Sequence, residues 1–180
     1  GIIPMLKEGS KAPAFTLESD SGEKISLKDF KGQTVVLYFY PKDMTSGCTQ
    51  QACDFRDHFQ GFKKKKITVL GISKDTVSSH EKFKTKYSLP FTLLADPETE
   101  VCQAYGVWKE KSMYGRKYMG IARTTFVIDE KGVMSIDSTK LDAALQNNFS
   151  DVVKSFTGNF DNLSAYSTQK AGFAGDGVKK

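Results

Sequence analysis

A chain of 180 residues, 39% hydrophobic and 26% charged, is sized for one domain with a substantial core. No apolar run approaches the roughly 20 residues of a membrane-spanning helix. The net charge of +5 is modest, and its densest cluster, Lys63 to Lys66, falls where a helix is predicted to end and its dipole favours cations, so neither nucleic acid nor membrane is expected as a partner.

Residues 1–13 hold Gly, Pro and Lys with little periodicity and read as an extended lead-in. Residues 14–18 and 25–27 flank Asp20-Ser21-Gly22 as a short strand pair. The run from Thr34 to Tyr40 is a buried strand, and Pro41 stops it because it cannot donate to a central ladder. Thr45, Ser46 and Gly47 supply turn and N-cap chemistry. One helix is then predicted from Cys48 to Lys66, with Ala52, Phe55, Phe59 and Phe62 on its apolar face. Residues 67–72 form a second buried strand, and this strand–helix–strand order implies a right-handed crossover in a parallel sheet.

Ser78-Ser79-His80-Glu81 matches a capping box, opening a helix that carries Phe83 and Tyr87 and is broken by Pro90. A strand over 91–95 leads to Asp96-Pro97-Glu98, a helix start with proline at the first helical position, and that helix ends at Gly106. Residues 109–120 read as a charged loop. Residues 124–128 and 133–136 flank Asp129-Glu130-Lys131-Gly132 as a hairpin. A closing helix is predicted over 141–156, then a poorly structured tail that could dock. The fold class is α/β, a mixed central sheet flanked by helices, with residues 1–156 as the domain and 157–180 as the tail.

Three cysteines, an odd number with two close together, do not form a secreted disulfide framework. They fit an intracellular protein. With no signal-peptide pattern at the N-terminus a cytoplasmic setting is expected, an organelle or the nucleus being also compatible. Cys48 is predicted at the first turn of a helix, beside unpaired N–H groups and the positive end of the dipole, a setting that stabilises a thiolate. Cys53 follows five residues later. Both could be small buried hydrophobes. As a metal site they lack partners, since neither His58 nor His80 stands at ligand spacing to them. As a redox pair they offer a nucleophile and a nearby second thiol. Four intervening residues differ from the two of thioredoxin-type oxidoreductases, which argues against a general disulfide reductase. Residue chemistry alone reaches a reactive thiol with a neighbour.

The chain nevertheless resembles a known family. Phe39-Tyr40-Pro41-Lys42-Asp43, Thr45-x-Gly47-Cys48-Thr49 and Ala52-Cys53 are similar to the peroxiredoxins of the bacterioferritin-comigratory protein (peroxiredoxin Q) group. So are Gly71-Ile72-Ser73, Pro90-Phe91, Ala95-Asp96-Pro97, Tyr105-Gly106-Val107-Trp108 and Arg123-x-Thr125-Phe126-Val127-Ile128-Asp129, all in the same order. The resemblance implies a thioredoxin-like fold and reduction of hydrogen peroxide and organic hydroperoxides. It makes Cys48 the peroxidatic thiol and Cys53 the resolving one, joined in an intramolecular disulfide that thioredoxin or a similar dithiol protein reduces. It implies no metal, haem or flavin, and a monomer is expected. Thr45, the backbone N–H groups of Gly47 and Cys48, and Arg123 would face the departing oxygen and the thiolate, while Pro41 would wall the pocket. The alternative is a thiol redox sensor or chaperone-like binding protein with little turnover. Cys102, among Val101, Ala104 and Tyr105, reads as packing, Trp108 as core or rim, and the histidines receive no role.

The chain departs from the family in two places. Ser46 stands where proline is usual, and Ser is read as a good N-cap that leaves the turn less rigid. From about residue 137 the resemblance ends. One geometric expectation follows for the cysteines. On one continuous helix, five positions place their Cα atoms roughly 8.5 Å apart and about 140° round the axis, beyond the roughly 7 Å reach of a disulfide. The start of the helix must therefore unwind before the bond can form.

Overall fold

The computed structural model describes residue 6 and residues 9–135. The chain opens with strands β1 (Thr16–Ser19) and β2 (Lys24–Ser26), one 3-10 turn (Leu27–Phe30) and strand β3 (Thr34–Phe39). Helices α1 (Ser46–Asp57) and α2 (Phe59–Lys64), strand β4 (Ile67–Ser73) and helix α3 (Val77–Tyr87) follow. Strand β5 (Thr92–Ala95), helix α4 (Glu100–Ala104), the pair β6 (Trp108–Met113) and β7 (Arg116–Ile121), and β8 (Thr124–Ile128) with β9 (Met134–Ser135) complete it.

The main sheet runs β2-β1-β5-β4-β3-β8-β9. Strands β3, β4 and β5 are parallel, and β1, β8 and β9 add antiparallel pairs on either side. Period-two alternation along β3 divides the core. Val36, Tyr38 and Tyr40 join Cys48, Ala52, Phe55, Phe62 and Phe83 on the face covered by α1, α2 and α3. Val35, Leu37 and Phe39 join Cys102, Tyr105, Ile121 and Phe126 on the other. This is the α/β, thioredoxin-like arrangement expected, with a mixed sheet between helices.

Four local expectations are corrected. The helix expected from Cys48 to Lys66 is two helices, because His58 leaves helical geometry (φ −103°, ψ 7°) and its Nδ1 lies 2.8 Å from the Asp54 carbonyl. The turn so made brings Phe62 into the core. The capping box at Ser78 is not the start of α3. Thr76 is the cap, its hydroxyl accepting from the Ser79 N–H at 3.1 Å. Helix α4 starts at Glu100 and not at Pro97, but Asp96 still caps it at longer range, its carboxylate accepting from the N–H groups of Val101 and Cys102. Residues 109–120 are no loop. They form most of the β6–β7 hairpin, closed by Tyr114 and Gly115, both at positive φ as a tight hairpin turn requires. The predicted closing helix over 141–156 and the tail lie outside the described residues.

Candidate active site

The site is built where β3 hands over to α1. Pro41 is half-buried just after the strand, and Thr45 caps the helix with extended backbone (φ −79°, ψ 156°). The first ladder bond of α1 runs from the Thr49 N–H to the Thr45 carbonyl at 2.8 Å. The N–H groups of Ser46, Gly47 and Cys48 therefore precede the ladder, and the Thr45 side chain makes no cap bond to them. Cys48 is 2% exposed in that first turn and belongs to the core cluster under α1. Helix α1 continues unbroken through Cys53, so the two thiols sit on one helix as the spacing argument assumed. All three cysteines are free thiols.

Arg123, immediately before β8, reaches this turn. Its Nη2 donates to the Cys48 sulfur at 3.3 Å and its Nη1 to the Gln51 Oε1 at 2.6 Å. Gln51 is buried, three residues after Cys48 and so on the same side of α1. The sequence reading missed it. The i, i+3 spacing from the cysteine is the signal that could have found it. Gln51 fixes the guanidinium fork, and a fork held by one arm aims the other. A Cβ on Gly47 would lie 3.3 Å from the Arg123 Nη2, so the glycine leaves the arginine its approach.

Thr45 is tied back into the turn that precedes it. Its hydroxyl donates to the Lys42 carbonyl at 2.9 Å. The proton is committed, and the hydroxyl keeps a lone pair able to accept a further bond. Ser46 is corrected as well: it occupies the first helical position and is not the cap. Proline is favoured there because that N–H has no helical partner in any case. Thr45 already has the extended backbone that a following proline demands. Ser46→Pro should therefore fold normally and stabilise the wound helix start by about 0.4–1 kcal/mol. Disulfide formation after peroxide should slow by about two- to fivefold, read by rapid-quench mass spectrometry.

The other thiols differ in kind. Cys53 is half-buried, and burial pushes its thiol up despite the opposing charge of Arg56. Cys102 is fully buried, and burial first, then the Asp96 carboxylate, push its thiol far up. Packing is its role, as read from the sequence. Beneath the helix the Tyr38 ring stacks on Phe55 at 4.6 Å, and burial foremost pushes its hydroxyl up.

The chain that carries this site has counterparts among known proteins. The AhpC/TSA family pattern matches residues 9–136. The chain belongs to the AhpC/TSA family. Within that family its relatives are peroxiredoxins of the bacterioferritin-comigratory (Bcp) kind. The putative peroxiredoxin bcp of Coxiella burnetii is 57% identical over 130 residues, which is 72% of this chain and 86% of that one. Peroxiredoxin Bcp of Bacillus subtilis is 51% identical over 124 residues, covering 69% and 79%. Among solved structures, the bacterioferritin comigratory protein of Xanthomonas campestris, studied for alkyl peroxide reduction, superposes with a TM-score of 0.66 at 34% identity, covering 73% and 90%. The peroxiredoxin holds no helix, among its described residues, long and apolar enough to cross a membrane.

Proposed function

We propose that this peroxiredoxin, a thiol-dependent peroxidase, reduces hydroperoxides at Cys48 and resolves the product with Cys53. The observation that carries the assignment is the 3.3 Å contact from the Arg123 Nη2 to the Cys48 sulfur at the N-terminus of α1. The thiolate attacks one peroxide oxygen, the O–O bond breaks, and the departing oxygen takes a proton and leaves as water or alcohol. Charge develops on that oxygen beside the guanidinium and the N–H groups of Gly47 and Cys48. Cys48 is left as a sulfenic acid.

The second step is an attack by the Cys53 sulfur on the Cys48 sulfur, with hydroxide leaving as water once it gains a proton. Both thiols ride on α1, so the first turns must unwind to close the bond. Unwinding also relieves the burial that pushes the Cys53 thiol up. A dithiol protein of the thioredoxin type then supplies two electrons and two protons to restore both cysteines. We read the working unit as a monomer acting in the cytoplasm, without nucleic acid or membrane.

The test is a coupled assay with hydrogen peroxide, an organic hydroperoxide, thioredoxin, its reductase and NADPH. Sustained NADPH oxidation that depends on both peroxide and thioredoxin is the expected result. Stoichiometric oxidation of the protein with slow recovery would instead make it a redox sensor.

A further inference from the structure

Ahead of the active turn lies a buried polar cluster that the sequence left without a role. Asp43 is 4% exposed, between β3 and α1 and two residues before the helix cap. Its Oδ1 accepts from the Tyr40 hydroxyl at 2.6 Å, and its Oδ2 accepts from the Ser79 hydroxyl at 2.7 Å. The same Oδ2 lies 2.8 Å from the Nδ1 of His80, with the two side chains 1% and 0% exposed. The Asp43 N–H donates to the Asp75 Oδ2 at 2.9 Å, and that oxygen also accepts from the Ser73 hydroxyl.

Counting protons defines the pair. The other ring nitrogen of His80, Nε2, lies 2.9 Å from the Leu94 carbonyl, which can only accept, so Nε2 carries a hydrogen. One further proton must lie between Nδ1 and Oδ2, whichever atom holds it. The pair is therefore neutral as a unit and bonded at both ends. The ligand atoms of Asp43, Asp75 and His80 lie within 4.8 Å of one another, but they are already spent on these bonds, and a cation would have to displace them. The cluster is a clamp and not a metal site.

What it clamps is the approach to Cys48. Directly after Asp43, Met44 takes a left-handed conformation (φ 68°), uncommon for a residue with a Cβ. Thr45 then caps α1 and ties its hydroxyl back to Lys42. Such a turn keeps its shape only if its surroundings over-determine it, and Asp43 brings the residue that follows β3, the β4–α3 loop and α3 together on one carboxylate and one N–H. Through His80 and Leu94 the clamp is fastened to β5 as well.

We propose that Asp43 and His80 are positioning residues for peroxide reduction: their shared-proton bond holds the Asp43–Thr45 turn, so setting where α1 starts and how Cys48 meets Arg123. The proposal rests on the Cys48 reading above. It also places the upstream limit of unwinding at Asp43, the last residue of the turn that the clamp itself bonds.

The test compares two substitutions that remove the same ring. In His80→Asn the side-chain amide sits near the position of Nδ1 and can still donate to Asp43. In His80→Gln it sits near Nε2, reaching Leu94 and not Asp43. Ser79→Ala, which deletes one donor to Asp43 from a half-buried position, serves as the variant least disturbing to the fold. The single-turnover rate with limiting hydrogen peroxide should fall at least tenfold in His80→Gln and at least threefold in Ser79→Ala, while His80→Asn stays within threefold of the parent. Conversion of the sulfenic acid to the disulfide should not slow in any of them. A parental peroxide rate in His80→Gln and Ser79→Ala, or a rate in folded His80→Asn as low as in His80→Gln, would overturn the proposal. Peroxide consumption by the parent, lost in Cys48→Ser, is measured alongside, so failure of the Cys48 reading is told apart from failure of the clamp.

Discussion

Cys48→Ser should lose peroxide turnover by more than about 10³-fold, the scale of removing a catalytic nucleophile. A serine hydroxyl at the same place has no adjacent base, and Arg123 offers it a cation without removing its proton. The neighbouring thiols do not substitute. Cys53 is held up by burial on the wound helix, and Cys102 is fully buried beside a carboxylate. Cys53→Ser should behave differently. It should consume one equivalent of peroxide at a near-parental rate, since Cys48 and its donors are untouched. It then stops at sulfenic acid and proceeds, with excess peroxide, to sulfinic acid. Intact mass separates these states as gains of one and two oxygen atoms. Cys102→Ser should stay within about twofold of the parent, since the residue only packs. Inactivity of Cys102→Ser matching that of Cys48→Ser would reverse the assignment of the three thiols.

Arg123→Met should lower the peroxide rate by about 10²-fold, comparable to deleting one donor from a preorganised anion site. Methionine keeps the apolar stem but removes both contacts, to the Cys48 sulfur and to the Gln51 Oε1. Lysine should rescue poorly. It restores a charge but not a fork able to hold Gln51 and the sulfur together. Gln51→Leu, which leaves the guanidinium in place but unaimed, should cost about tenfold, within the range for a small misplacement of a catalytic group. A parental rate in Arg123→Met would remove Arg123 from the active site.

The parts of this site that could be read directly are those encoded locally. An apolar run, a proline and a set of capping residues lie next to one another in sequence, and β3, the turn and the start of α1 formed where they pointed. The missed contacts are tertiary. Gln51 and Arg123 lie 72 positions apart, and Asp43 and His80 lie 37 apart. No periodicity links such pairs. His80 was further obscured by its neighbours, because three hydroxyl residues, Thr76, Ser78 and Ser79, crowd the start of α3 and only the backbone shows that Thr76 is its cap. The β6–β7 hairpin escaped for a different reason. From residue 109 to 119 only Lys111 is even half-buried, so alternation had no buried face to reveal. At His58 neither proline nor glycine announces the break between α1 and α2.

The central claim is that α1 carries both thiols and must exchange a wound start, which meets peroxide, for an unwound one, which meets Cys53. Hydrogen exchange measured by mass spectrometry on the reduced protein, and after one equivalent of hydrogen peroxide, tests it directly. With the Cys48–Cys53 disulfide confirmed by peptide mass, exchange over residues 44–56 should accelerate by at least about tenfold, the signature of local unfolding. The strands Thr34–Phe39 and Ile67–Ser73 should stay as protected as before. Equal protection of residues 44–56 in both states, with that disulfide present, would contradict the account.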